Sequence, residues 1–223
     1  MVKNTRRTQR GEASLSRERI VEAAIALLDE HGESGLTFRA LSEELATGAG
    51  AIYWHVANKG ELLSAACDAM VARAMDAAVT AAPPRETVRI LGLGLFDAID
   101  AHPWVGAELA RSPMKMPMVR ILEAIGRQMR TFGVAEQELW LAASSLLNFI
   151  LGVAGQNAAN SEYARAQGLV RASFFDAVSS AWSALDEDAF PFVRSMIVPM
   201  REHDDRADFL AGIDLILDGI AAR

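Results

Sequence analysis

Six residues in one short stretch have side chains suited to gripping a nucleic acid: Arg39, Gly50, Ala51, Tyr53, His55 and Lys59. The phenol, imidazole and ammonium groups of Tyr53, His55 and Lys59 are phosphate contacts by type, and such contacts position a protein without reading sequence. Gly50 and Ala51 are small enough to bring the backbone close to base edges, where the Ala51 methyl can meet a thymine methyl. Arg39 has the length and fork geometry to take a guanine through two hydrogen bonds. Any helical hairpin in an all-α protein shares this outline, and on periodicity alone an ordinary structural hairpin is the better reading.

The elements that must hold these residues are helices. Apolar Ile20, Val21, Ala24, Ile25, Leu27 and Leu28 recur at three and four positions and predict a helix capped by Ser16, stapled by Leu15 on Ile20 and ending near Gly32. A second helix is expected from Thr37, whose hydroxyl caps it, to about Ala46. Thr47-Gly48-Ala49-Gly50 then reads as a tight turn, and Ala51–Val56 as a short third helix. Two short helices about a glycine-containing turn make a helix-turn-helix, whose second helix enters the DNA major groove. Asn58 and Glu61 form a capping-box start for a long fourth helix that buries Leu62, Leu63, Ala66, Met70, Val71 and Ala74 and stops before Pro83-Pro84. Further helices are expected over 85–101, 104–111, 116–131, 135–160 and 162–183, broken by Pro103, Pro113, Pro117 and Gly133. The stretch 186–205 is less regular, and a last helix begins at Asp204 or Asp205. With no alternating strand pattern and no repeat, the chain is all-α.

The 223 residues are 51% hydrophobic and 23% charged, which excludes a disordered or collagen-like polymer. A net charge of −7 argues against nucleic acid until its distribution is read. Residues 1–19 carry six bases and two acids, whereas residues 66–223 carry 14 bases and 20 acids. A basic arm ahead of an acidic body is a hint of nucleic acid at the N-terminal end, with a solvated tail that has no partner as the alternative. Cys67, the single cysteine, has no internal disulfide partner, and no charged start precedes an apolar h-region, so a cytoplasmic protein is expected.

Catalytic chemistry finds little support. His31, His55, His102 and His203 stand far apart with no paired metal-ligand spacing, and no glycine-rich phosphate loop is present, so neither metal nor cofactor is expected. Cys67 has no basic neighbour in sequence to activate it. His203-Asp204-Asp205 reads more simply as a capped helix N-terminus than as a cation site.

A small-molecule site is expected in the C-terminal part. Eight of the nine methionines lie at position 70 or later, as do three of the four tryptophans, and flexible thioethers with aromatic faces suit an adaptable apolar cavity. Met70, His102, Trp104, Trp140, Asn148, Phe149 and Gln156 are the candidate ligand-binding residues, with ordinary core filling as the competing role for the apolar ones.

The 23 uncharged residues between Glu138 and Glu162 are long enough to span a bilayer. Polar Ser144, Ser145, Asn148, Gln156, Asn157 and Asn160 on the same helix favour burial in protein instead, with no membrane partner. Ser144, Asn148, Gly152 and Gly155 form a stripe of compact side chains that admits a neighbouring helix. The 135–160 and 205–222 helices from two copies would make an intermolecular four-helix bundle, hence a homodimer.

Leu36-Thr37-Phe38-Arg39-Ala40-Leu41, followed after the turn by Gly50-Ala51-Ile52-Tyr53-Trp54-His55-Val56-Ala57-Asn58-Lys59, resembles the DNA-binding domain of the TetR family of bacterial repressors. The resemblance implies phosphate contacts at Thr37, Tyr53, His55 and Lys59, and groove contacts at Arg39, Gly50 and Ala51. Ala46-Thr47 departs from the Gly-Val that the family often carries at the turn. His102-Pro103-Trp104, Phe149-Ile150-Leu151-Gly152 and the run Phe209–Ile220 resemble the ligand-binding domain of the tetracycline repressor subgroup. There Met75 stands where a drug-contacting histidine is expected and Gln156 where a glutamate is expected, so a response to magnesium–tetracycline is not expected. Taken together, these readings imply a basic flexible arm over 1–15, a three-helix helix-turn-helix domain over 16–62, and a helical effector-binding and dimerisation domain over 63–223. The function expected is a repressor that binds a palindromic DNA operator and is released by a small, largely apolar effector. An architectural DNA binder without an effector, or an all-α enzyme, is the alternative.

Overall fold

The computed structural model describes residues 15–76, 82–111 and 114–222, and among them no β-strand occurs. Most of the expected 1–15 arm, and Pro113, lie outside the described residues. The chain divides into two compact units, Met1–Ala66 and Cys67–Arg223.

The first unit holds α1 (Arg17–Gly35), α2 (Phe38–Glu44), α3 (Ala49–Tyr53) and the start of α4 (Lys59–Asp76). Ser16 caps α1 by accepting from the Arg19 N–H, and Gly32 breaks the helix with a φ of 65°, where a side chain would be strained. Thr37 caps α2 by accepting from the Ala40 N–H at 3.1 Å. Ile20, Ala24 and Leu28 of α1 share a fully buried core with Leu36, Leu41, Ile52 and Leu62. Burial of each Leu or Ile contributes roughly 1.5–3 kcal/mol, which is what lets so small a unit hold three short helices together.

The turn between α2 and α3 is tighter than the sequence suggests. Ala46 adopts the left-handed conformation with φ 49° and reverses the chain there, so Ala49 and Gly50 fall inside α3 rather than before it. The third helix therefore starts two residues earlier than expected and ends at Tyr53. Asn58 accepts from the Glu61 N–H at 2.9 Å, as the capping pattern predicts, and Glu61 returns a bond from the Ala57 N–H at 2.8 Å.

The second unit is built around α8 (Leu139–Ala166), which packs on α5 (Pro84–Ala101), α6 (Pro103–Arg111), α7 (Met116–Phe132) and α12 (Asp205–Ala221). A 3₁₀ turn, Glu136–Glu138, leads into α8. By length and composition α8 meets the requirement for a membrane span. It buries Ala142, Ala143, Leu146, Leu147, Ile150, Ala154 and Ala158 against its neighbours, about a third of its apolar stretch, and leaves the remainder half-buried or exposed rather than enclosed. Close approach is enforced at Gly94, where an added Cβ would lie 2.6 Å from the Ala74 carbonyl oxygen of α4. Arg85 and Arg89 of α5 pair with Asp214 and Asp218 of α12 and fix the register of those two helices.

The helix expected over 162–183 starts later than that, because its first residues still belong to α8, which runs on to Ala166. Gly168, with φ 65°, ends α8, and the Leu169 N–H donates to the Ala164 carbonyl while the Gly168 N–H donates to Arg165. This is a Schellman stop, in which glycine supplies the left-handed residue. The chain resumes as α9 (Arg171–Ser183), against which α10 (Pro191–Ser195) and α11 (Ile197–Glu202) pack.

Candidate nucleic-acid interface and ligand cleft

The head displays its polar and aromatic groups on α2 and α3. Gly50 and Ala51 sit in the first turns of α3, the end from which a recognition helix contacts bases. Tyr53, at the other end of α3, is 54% exposed, and Trp54 beside it is 90% exposed, far beyond what packing requires of an indole. The Tyr53 ring stacks on Phe38 with 4.2 Å between centroids, so the exposed phenol is held by its ring. His55 is half-buried. Arg39 is exposed, and its Nε donates to Glu43 Oε1 at 3.0 Å.

Two of these groups have structural duties as well. The Thr37 hydroxyl is the α2 cap, and the Lys59 ammonium donates to the Glu33 carbonyl at 2.5 Å, near the break in α1. Glu61 clamps the same region by bonding both Arg17, at 3.2 Å, and the Ala57 N–H. The backbone bond from Ala57, followed by the Arg17 guanidinium, holds the Glu61 carboxyl below the usual carboxylate range.

The candidate ligand residues do not come together in one cavity. Phe149 and Gln156 share a groove of about 340 Å³ with Phe96 and Phe209. His102 and Trp104 meet edge to face, 6.3 Å apart, at the junction of α5 and α6. Met70 is buried in α4. Trp140 is 71% exposed and borders a separate groove with Gly126 and Arg127, and Asn148 is exposed on α8. Residue type carried these choices, and type does not say which face each helix turns inward.

A larger cleft of about 560 Å³ lies between α4, α5 and α7, with Met75, Thr87, Leu91, Met116 and Val119 along it and Arg120 at its edge. Its residues come from three distant segments, and the enrichment in methionine was the one trace of it in the sequence. Arg120 also forks onto Asp68 of α4, with Nε and Nη2 at 2.9 and 3.0 Å from the two carboxylate oxygens. Arg120, one of four charged residues on the cleft wall with Asp76, Glu123 and Arg127, is thereby bonded directly to α4.

Glu108 is buried beside Lys115, whose ammonium lies 2.8 Å away. Burial, reinforced by the nearby Glu108 and Asp68 charges, pushes the Cys67 thiol up to about 12, which makes it an inert core group. Asp204 caps α12 by accepting from the Arg206 and Ala207 N–H groups, while His203 Nε2 lies 2.8 Å from Asp205.

A helix-turn-helix head followed by a larger all-helical unit defines a DNA-binding transcriptional regulator, not an enzyme. The chain belongs to the TetR family: residues 20–66 match the family described as "Bacterial regulatory proteins, tetR family", and residues 83–223 match "Tetracyclin repressor-like, C-terminal domain". The HTH-type transcriptional repressor DrrR1 of Streptomyces coeruleorubidus is 29% identical over 231 residues, covering 96% of this chain and 81% of that protein. The solved structure of the transcriptional regulator SCO7222, a TetR from Streptomyces coelicolor, is 52% identical with a TM-score of 0.85 over 94% of this chain and 99% of that one. BioQ, solved with its natural double-stranded DNA operator, is 26% identical with a TM-score of 0.63 over 94% of this chain and 100% of that one.

Proposed function

We propose that this regulator is a cytoplasmic repressor that binds a palindromic operator as a homodimer and is released by a small, largely apolar effector. The reading is carried by the α2–α3 head, where small residues open the N-terminal turns of α3 and the exposed Tyr53 is held by its stack on Phe38. Thr37, Tyr53, His55 and Lys59 hold phosphates, and Arg39, Gly50 and Ala51 face the groove. BioQ, crystallised on its operator, is a relative of the same fold.

Dimerisation is supported by what α8 and α12 leave uncovered. Leu141 and Leu215 are 52% and 74% exposed, and nothing lies within 4 Å of a Cβ built on Gly152 or Gly155. A second copy laid across this face would bury the leucines and use the room above the glycines. Two heads would then meet half-sites about 34–36 Å apart, one helical turn.

The α4–α5–α7 cleft suits the effector in size and lining. Its occupant acts through α4, which begins in the head at Lys59 and runs to Asp76 at the cleft. Release requires that the effector bind the arrangement unable to hold DNA more tightly than the competent one. Met75 and Gln156 lie at two different cavities, which supports the expectation that magnesium–tetracycline is not this effector.

The test is selection of the preferred duplex from a random pool, followed by a screen of apolar small molecules for its release. A palindromic site, bound by two chains and lost in the presence of a hit, is the expected result. Lys59→Ala should then weaken all duplexes alike. Binding by a single chain, or a loss confined to one base pair in Lys59→Ala, would overturn the reading, as would tight magnesium-dependent quenching by tetracycline.

A further inference from the structure

The pair formed by Arg39 and Glu43 joins no two elements. Both residues lie on α2, one turn apart, with side chains 90% and 67% exposed, and an exposed pair of this kind contributes little to stability. Its consequence is geometric. Glu43 Oε1 takes the Nε–H of Arg39 at 3.0 Å, which commits one edge of the guanidinium. The two terminal nitrogens keep their N–H groups for a partner, and that end of the fork matches the O6 and N7 acceptors of guanine.

Charge points the same way. Between positions 20 and 66 the chain has two basic residues, Arg39 and Lys59, and Lys59 is bonded to the Glu33 carbonyl. A lone cation at the tip of the head would accept any phosphate that came near. With Glu43 alongside, a phosphate approaching Arg39 also approaches a second anion, whereas a guanine brings two aligned neutral acceptors and no such repulsion.

We propose that Glu43 is a positioning residue that makes Arg39 a guanine reader rather than a phosphate contact, raising base discrimination at the expense of general DNA affinity. This rests on the groove-facing role proposed above for Arg39. The experiment uses the full-length protein and a selected duplex, with binding measured against all four base pairs at each position and over a range of salt. Arg39→Ala identifies the base pair that Arg39 reads. At that position Glu43→Gln should lower the preference for guanine by about tenfold, within the range a single two-bond contact supplies. It should also tighten binding to unrelated duplexes and steepen the salt dependence by up to about one unit. In an Arg39→Ala background Glu43→Gln should change no preference further.

Glu43→Gln that leaves guanine preference intact while Arg39→Ala relaxes it would overturn the proposal. So would a Glu43→Gln effect at a different base pair that persists without Arg39, since Glu43 would then read a base itself. If Arg39→Ala relaxes no position, the readout on which the inference stands is overturned instead, a result distinguishable from both.

Discussion

The ring of Tyr53 lies flat on that of Phe38, 4.2 Å between centroids and 11° between planes, so the last residue of α3 is braced by the first residue of α2. Stacked pairs add about 0.5–1.5 kcal/mol beyond the area they bury. Phe38→Ala should therefore weaken binding to all duplexes alike, because the phenol loses its brace while the base-facing residues are untouched. Quantitative binding to the selected operator and to a scrambled duplex checks this, and a loss restricted to the operator would contradict it.

Ala46 has a left-handed backbone, which costs an L-residue with a Cβ roughly 1–2 kcal/mol. Part of that returns as extra unfolded-state entropy when glycine replaces it. Ala46→Gly should stabilise the protein by about 0.5–1 kcal/mol in denaturant titration. A destabilisation would mean that the turn is not built as described.

The Glu61 carboxyl is held below its ordinary range by the Ala57 N–H and then by Arg17. A carboxyl depressed on folding contributes stability above its unfolded pKa and loses it as pH falls through the folded one. Glu61→Gln should lower Tm at neutral pH, and the gap from the parent should close in acid, as pH falls below the ordinary carboxylate range. An equal gap at both pH values would assign the effect to packing instead.

Gly94 sits against α4 so closely that an alanine Cβ would meet the Ala74 carbonyl oxygen at 2.6 Å. Backbone cannot swing aside as a side chain can, so Gly94→Ala should cost about 1–3 kcal/mol, the usual price of overpacking. Thermal unfolding measures it, and an unchanged Tm would show that α4 can shift freely here.

Much of this molecule was legible in its sequence because the relevant forces are local. Ser16, Thr37 and Asn58 cap the helices they precede, the apolar spacing in α1 selects the face that is buried, and the string from Gly50 to Lys59 fixes the outline of the head. The stop at Gly168 was equally local, a left-handed glycine at the end of α8. Pairings across elements were another matter. Nothing near Lys59 in sequence points to the Glu33 carbonyl, and nothing near Arg120 points to Asp68, 52 positions away. The cleft shows the same limit: Met75, Leu91 and Met116 become neighbours only when α4, α5 and α7 pack. Sequence by itself determined which residues form helices and which chemical groups the head presents, since both follow from side chains within a turn or two of each other. Only tertiary packing decided where a cavity opens and which charges it brings together, because those depend on which face each helix turns toward partners distant along the chain.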